Sequence, residues 1–365
     1  MIKCTNIQEQ VRDISQPLMK QIFETVGRGN FIFGEEVDIF ERWMSKRCNG
    51  AEAISLNSGT DALILALKAL NIGPDDEVIT SANTFIATVG AIVSVGAIPV
   101  LADVNDNELL SLATISSRIT DRTKAVIPVH LRGRPVDMPP IVTACKKLGI
   151  SVIEDRAQAI GTTINGVQVG IFGDAGAFSL HPLKTLGCFG DGGVLVTTQP
   201  TIAAYAKSVR THGLGSRNTA AEFGANSRLD SLQAAVLNIK TNYIDSWLAR
   251  RKKIANYYND QLRFTSTGVD LGNGMLGNSY YHYVVQSKRR DQLVDHLKSN
   301  NIEAMVHYPI PIHEQPAWTK SQPSIALPNT ECLARQILTI PCHQHLSDAE
   351  IEHVVSSIKR FDTKS

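Results

Sequence analysis

Residues 175–197 read AGAFSLHPLKTLGCFGDGGVLVT, and the reading of this stretch decides the fold. The small and apolar run Ala177, Phe178, Ser179, Leu180 has the composition of a buried strand, and a short polar turn carrying Lys184 follows it. A glycine-punctuated loop (Gly187, Gly190, Gly192, Gly193) then leads into a second apolar strand, Val194 to Thr197. An ammonium group at the end of a buried strand must be paired or deprotonated. Desolvation moves a lysine toward the free amine, which forms Schiff bases with carbonyl compounds. Alone, the stretch fits either a solvated strand-end lysine or a chemical one.

Working outward, the chain alternates with a regular beat. DEVITSA, IPVLADV, TKAVIPVHL and ISVIEDRA precede AGAFSLH and GGVLVTT as strand-like runs, mostly joined by helix-length segments. With the short strand before Ser58 they make seven. Val and Ile runs with little alternation indicate strands buried on both faces, as in a mostly parallel α/β sheet sandwiched by helices. Ligands gather at the carboxyl ends of such strands. The residues there are Ser58 to Thr60, Asn83 to Phe85, His130 to Gly133, Asp155 to Gln158 and Ser179 to Lys184.

Several of these fit one ligand. In AISLNSGTDALILALKAL a strand meets Ser58, Gly59 and Thr60 and then an apolar helix, which suits either a phosphate cradle at a helix N-terminus or an ordinary N-cap. Asp155 could pair with a protonated pyridine nitrogen or cap a helix, and Phe85 could stack on a flat ring or fill the core. Ser179 could bind phosphate or the backbone, and Lys184 could hold an aldehyde. Together the set describes pyridoxal phosphate.

Composition bounds the alternatives. The chain has 365 residues, 43% apolar and 19% charged, with a formal charge of +1 scattered along it. That argues for a globular chain with no nucleic-acid face and no polybasic membrane anchor. The six cysteines are far apart, without zinc or redox spacing, which points to a reduced, cytoplasmic setting. MIKCTNIQEQV lacks the profile of a secretory signal. From Ser81 to Ala102 no residue is charged, but Gly90, Gly96 and Pro99 interrupt the run, so a buried helix followed by a core strand accounts for it better than a membrane span.

Residues 1–30 carry a helical pattern and end in GRGNFIFG before a second amphipathic helix, Glu35 to Cys48. The expected division is 1–245 for a large cofactor-binding domain including this arm, and 246–365 for a smaller α+β domain. The latter holds a helix Asp245 to Leu262, strand YYHYVVQ, helix RDQLVDHLKSN, strand EAMVHYP and a final helix capped by Ser347 with Glu350. GSRNTAAEFGA, 215–225, is the most loop-like interior segment and a lid candidate.

LNSGTDAL, ITSANTFIAT, HLRGRPVDM, IEDRAQAIG, FSLHPLKTLGCFGDGG, NSRLDSLQAAVL and HYPIPIH, in this order and from about Ile32 to the last helix, resemble the DegT/DnrJ group of nucleotide-sugar aminotransferases. These are fold-type I pyridoxal 5'-phosphate enzymes. The resemblance implies that Lys184 holds the cofactor as an internal aldimine and that Asp155 pairs with its pyridine nitrogen. It sets Gln158 beside the ring hydroxyl and Phe85 on the ring, with Gly59, Thr60 and Ser179 on the phosphate. It further implies a homodimer with shared active sites, Asn226 of NSRLD contacting the phosphate in trans and Arg228 being a second candidate or a surface salt bridge.

The implied reaction passes an amino group from L-glutamate to the cofactor, giving the pyridoxamine 5'-phosphate form, and then to a nucleotide-linked keto-sugar. Lysine at 184 favours transamination over the dehydratases of the wider family, which carry histidine there. His181 of the SLHPLK turn is a candidate for substrate contact or packing, with packing the preferred reading. His307, Tyr308 and His313 match a segment bordering the sugar site, where a structural role is equally open. Arg156 departs from the small residue usual in relatives, as an extra anion contact or a solvated helix start. The remaining alternatives are an aminotransferase of a cyclitol or another nucleotide-free keto substrate, and a cofactor-binding regulator without turnover, the latter disfavoured because no DNA-binding appendage or basic face is present.

Overall fold

Seven short strands form one sheet in the computed structural model, which describes residues 1–216, 218–268, 270 and 272–363. They are β1 (Glu52–Leu56), β2 (Glu77–Ser81), β3 (Ile98–Ala102), β4 (Thr123–Ile127), β5 (Ser151–Asp155), β6 (Ala175–Ser179) and β7 (Gly193–Thr197). Their order across the sheet is β1-β7-β6-β5-β4-β2-β3. β7 pairs antiparallel with both β1 and β6, and every other pairing is parallel. The seven strands expected from the apolar runs are all present.

Alternation along the strands separates two faces. Ile54, Leu56, Ile153, Ala177 and Leu195 pack on one side with helices Gly59–Ala69, Ile86–Ser94 and Pro200–Val209. Ala53, Phe178, Val194 and Val196 turn to the other, where helices Ser15–Arg28, Glu35–Arg47 and Ser231–Thr241 cover them. Burying both faces is what makes these strands read as continuous apolar runs. The uncharged stretch 81–102 resolves into helix Ile86–Ser94 and β3. Among the described residues no helix is long and apolar enough to cross a membrane.

Helix Ile244–Leu262 starts in the second of these clusters with Ile244 and Trp247 and ends in a third with Ile254, Tyr258 and Leu262. The third cluster also takes helices Arg290–Ser299 and Asp348–Thr363 and the antiparallel pair β8 (Tyr283–Gln286) and β9 (Ile337–Ile340). Ser347 and Glu350 cap the last helix reciprocally, at 2.8 and 3.2 Å.

Three local readings are corrected. EAMVHYP forms no strand: one bridge, Met305 to Thr339, is its only ladder contact, and the partner of β8 is instead the run Ile337–Ile340. It ends at Pro309, which has no N–H to give to a ladder. YYHYVVQ contracts to Tyr283–Gln286. In GSRNTAAEFGA, Leu214–Ser216 and Thr219–Ala220 pair as a two-stranded ribbon, with Arg217 outside the described residues.

Candidate active site

The carboxyl ends of the parallel strands and the β6–β7 connection surround a cleft of about 390 Å³. Ser58, Gly59, Thr60, Phe85, Asp155, Gln158, Ser179, His181, Lys184, His307 and Tyr308 all line it. Eleven candidates from the sequence thus share one cleft. Asn226 and Arg228 do not line it; Asn226 is exposed and accepts the Arg228 Nε–H at 2.9 Å, and of the two readings open for Arg228 the surface salt bridge is not formed among the described residues.

Lys184 enters from the turn after β6, where its backbone N–H donates to His181 O at 2.8 Å. Its Nζ lies 5.2 Å from the centroid of the Tyr281 ring. Burial pushes the lysine down to about 8, against the Asp155 carboxylate, which favours the ammonium form. The side chain is thus close to losing its proton under ordinary conditions, as a nucleophilic amine requires.

Asp155 ends β5 and is 5% exposed. Oδ2 accepts the Thr88 hydroxyl at 2.7 Å and Oδ1 accepts the Ala157 N–H at 3.0 Å. No helix begins after it, which removes the helix-capping alternative. A buried carboxylate fixed in place by neutral donors suits a cationic partner inside the cleft.

The opposite wall comes from the residues around β8 and from the 307–308 segment. His282 and His307 stack with centroids 4.6 Å apart. Burial, assisted by the cations Arg132 and Lys184, holds His307 down at about 4 and drives His282 well below the usual imidazole range, so both rings are neutral at pH 7. Tyr308 lies 6.0 Å from Phe85, ring to ring, and its hydroxyl accepts Gln158 Nε2–H at 3.1 Å. Gln158 is oriented from behind by the Arg132 backbone N–H, 2.8 Å from its Oε1.

At the near end, Ser58 Oγ caps helix Gly59–Ala69 by accepting the Asp61 N–H at 3.0 Å, while Ser58 itself lines the cleft. Capping and cradle are compatible in one residue. A Cβ on Gly59 would stand 3.0 Å from both Phe178 O and Ser179 Cβ, so a larger residue would push this helix start and β6 apart by a few tenths of an ångström.

These features fit pyridoxal phosphate. A helix N-terminus suits a phosphate, a buried carboxylate suits a pyridinium and a weakly basic lysine suits an aldehyde, all on one cleft.

Three residues stand elsewhere than expected. His181 is exposed on the cleft rim, with Nδ1 accepting the Leu183 N–H at 3.2 Å, and does not pack inside. His313 is buried away from the cleft, 3.3 Å from Glu331. Arg156 is neither solvated nor at a helix start: it is 1% exposed, stacks 3.4 Å over the Phe178 ring and donates to Gln168 at 3.0 Å. Sequence reasoning passed over Thr88, Asp191, Tyr281 and His282, which also line the cleft. Thr88 lies in the first turn of helix Ile86–Ser94, its hydroxyl 3.0 Å from that of Thr84 just before the helix; Tyr281 and His282 carried no signal beyond an aromatic run.

A sequence profile of the family described as the DegT/DnrJ/EryC1/StrS aminotransferase family matches residues 12–359. The dTDP-3-amino-3,4,6-trideoxy-alpha-D-glucose transaminase of Streptomyces venezuelae is 36% identical over 343 residues, 93% of this chain and 90% of its own. The UDP-N-acetyl-3-dehydro-alpha-D-glucosamine 3-aminotransferase of Acidithiobacillus ferrooxidans is 38% identical over 353 residues, 94% of either chain. Among solved structures, S. venezuelae DesV in complex with a ketimine intermediate superposes with a TM-score of 0.95 at 34% identity, over 99% of this chain and 98% of that one.

Proposed function

Since the chain belongs to the DegT/DnrJ/EryC1/StrS aminotransferase family and is a pyridoxal-phosphate-dependent sugar aminotransferase, we propose that it aminates carbon 3 of a dTDP- or UDP-linked keto-sugar with L-glutamate as donor. Both transaminases named above carry a 3-amino or 3-dehydro sugar in their names, which supports that carbon. The observation that carries the reading is Lys184, held at about 8 in a cleft that also contains the buried carboxylate of Asp155.

When bound, the cofactor supplies an electron sink for a carbanion and a carrier for the amino group. In this reading Lys184 carries the cofactor and, once released from it, moves a proton as a free amine. Asp155 holds the proton on the pyridine nitrogen, with Thr88 fixing the carboxylate's orientation. Gly59, Thr60 and Ser179 take the phosphate, Gln158 faces the ring hydroxyl and Phe85 covers the ring. His181, His307 and Tyr308 face the sugar; His313 supports the 307–313 segment through Glu331.

The protein acts as a homodimer in this proposal, Asn226 and Arg228 reaching the partner's cleft. Their position outside the cleft of their own chain supports it, as do large apolar side chains left in solvent: Phe23 is 79% exposed and Phe223 fully so. Six unpaired cysteines support a reducing, cytoplasmic setting.

The test is the visible spectrum of wild type and Lys184→Ala, each with pyridoxal phosphate. A protein-linked band in the wild type alone, bleached by L-glutamate, is the expected result. A reducible linkage that persists in Lys184→Ala overturns the assignment. Reverse turnover of a 3-amino sugar nucleotide with 2-oxoglutarate, against free amino sugars and cyclitols, decides the acceptor.

A further inference from the structure

Behind the 307–308 wall lies a chain of buried ions. Arg132 Nη2 donates to Glu108 Oε1 at 2.7 Å, Arg134 Nη1 donates to Glu108 Oε2 at 2.7 Å, and Arg134 Nη2 donates to Asp270 Oδ1 at 3.1 Å. Each of the four is no more than 2% exposed. With two cations and two anions the chain is neutral, which is what permits it to be buried.

The two ends differ. Among the described residues the Arg134 and Asp270 side chains hydrogen-bond to no residue that lines the cleft; Asp270 is occupied by backbone N–H groups of Gly272 and Val284, both at 2.7 Å. Arg132 touches three. Its backbone N–H holds Gln158 Oε1 at 2.8 Å, its carbonyl accepts the His282 N–H at 3.3 Å, and its Nη2 donates to the His307 carbonyl. Glu108 adds a fourth loop by accepting Asn83 Nδ2–H at 3.0 Å, two residues before Phe85.

One nitrogen, Nη2, serves both Glu108 and His307, so a movement of the ion pair is a movement of the 307–308 segment. Arg132 and Glu108 are also both in left-handed backbone, φ 63° and 64°, although neither is glycine. Non-glycine residues persist there only where their surroundings over-determine them.

We propose that Arg132 is the positioning residue of this cleft, fixing Gln158, His282 and the His307–Tyr308 segment from behind through a single buried guanidinium paired with Glu108. It does not itself line the cleft. The proposal rests on the cleft being the substrate site, but part of its test needs neither cofactor nor substrate.

His307 is faced by Arg132, by Lys184, by the stacked His282, by Tyr308 and by the Thr339 hydroxyl, 3.3 Å from its Nδ1. Removing the guanidinium from this set makes His307 easier to protonate. The variants are Arg132→Met/Glu108→Gln, which preserves charge balance, Arg132→Lys, which keeps the cation, and Arg134→Met/Asp270→Asn, which neutralises the remote end.

Imidazole NMR titration of the cofactor-free protein is expected to show the His307 midpoint moving up from about 4 in the first variant and staying low in the second. With cofactor bound, kcat/KM for a 3-amino sugar nucleotide and 2-oxoglutarate is expected to fall about 10- to 100-fold in the first, through loosened alignment. Arg132→Lys recovers part of that loss, and the remote double variant changes stability with kcat/KM within about threefold.

An unmoved His307 midpoint in Arg132→Met/Glu108→Gln overturns the proposal, and so does an equal loss of kcat/KM in the remote variant. If the wild type fails to turn over the sugar nucleotide, the functional reading fails while the imidazole titration still reports on Arg132.

Discussion

The Thr88 hydroxyl donates to Asp155 Oδ2 over 2.7 Å and lies 3.0 Å from the Thr84 hydroxyl, so a helix on one side of the cleft fixes a carboxylate at the end of β5. The carboxylate's charge and its direction are separable. Asp155→Asn is expected to lower the rate of the glutamate half-reaction about 100- to 1000-fold, because an amide cannot hold the pyridinium proton. Thr88→Val keeps the charge and loses one charge-assisted bond of about 1.5 kcal/mol, for about a tenfold loss. Stopped-flow absorbance on the two variants measures both.

Burial of Lys184 has a stability cost that pH can relieve. Its folded value of about 8 lies below the ordinary 10.5, so the folded state binds fewer protons between those limits and gains stability as pH rises through them. Cofactor-free Lys184→Met is expected to exceed wild type by about 3 kcal/mol at pH 7, the gap closing from pH 8 to about 10.5. Denaturant unfolding of both proteins at pH 7 and pH 10.5 checks it; a constant gap rejects it.

Gly193, the first residue of β7, stands where a Cβ would lie 2.2 Å from Ser58 C and O and 2.5 Å from Gly59 N. All three are backbone atoms that no rotamer change can move. Gly193→Ala is expected to cost about 3 kcal/mol or more and to weaken cofactor binding by displacing the Ser58–Gly59 turn. Fluorescence titration with pyridoxal phosphate, alongside thermal unfolding, reads both effects.

Glu154, beside Asp155 but turned to the other face, accepts the Gly170, Phe172 and Gly173 N–H groups at 2.6, 2.7 and 2.9 Å and His130 Nε2 at 3.0 Å. Burial works against its charge, yet His130 and the backbone donors together hold the carboxyl below its usual value. A depressed carboxyl contributes stability that is lost as pH falls below the ordinary value of about 4.5. Glu154→Gln is expected to lose about 3–5 kcal/mol at pH 7 and to flatten the acid limb of the stability profile. Unfolding midpoints between pH 3 and 7 settle the comparison.

The central sheet was legible because strands buried on both faces have no freedom to alternate; Val152 and Ile153 face opposite cores and are both apolar. The cleft residues from its strand ends were legible for the same reason, since a polar or charged group such as Asp155 interrupts an otherwise apolar run. What escaped came from tertiary partners. β9 is chosen by pairing with β8, not by its own pattern, and EAMVHYP has comparable β-forming residues without a partner. Arg156 could not be read as core, because its burial depends on Phe178 to stack on and Gln168 to receive its N–H. Glu108 and Arg132 meet only once the sheet has brought together the segments that follow β3 and β4, on either side of β2.

β7 pairs with β1 from Glu52↔Thr197 to Leu56↔Gly193, closing the sheet across most of the large core's length in sequence. Loop closure over such a span is slow and must precede the contacts that stabilise it. β1, the end strand of the sheet, has no strand to pair with among the described residues until Gly193–Thr197 has been made. The Ser58–Gly59 turn packs on Gly193 and the Lys184 turn is tethered between β6 and β7, so both rest on this late strand. A chain that stops short of Thr197 therefore lacks the strand that joins β1 to β6, the two strands from whose ends the Ser58–Gly59 and Lys184 turns leave.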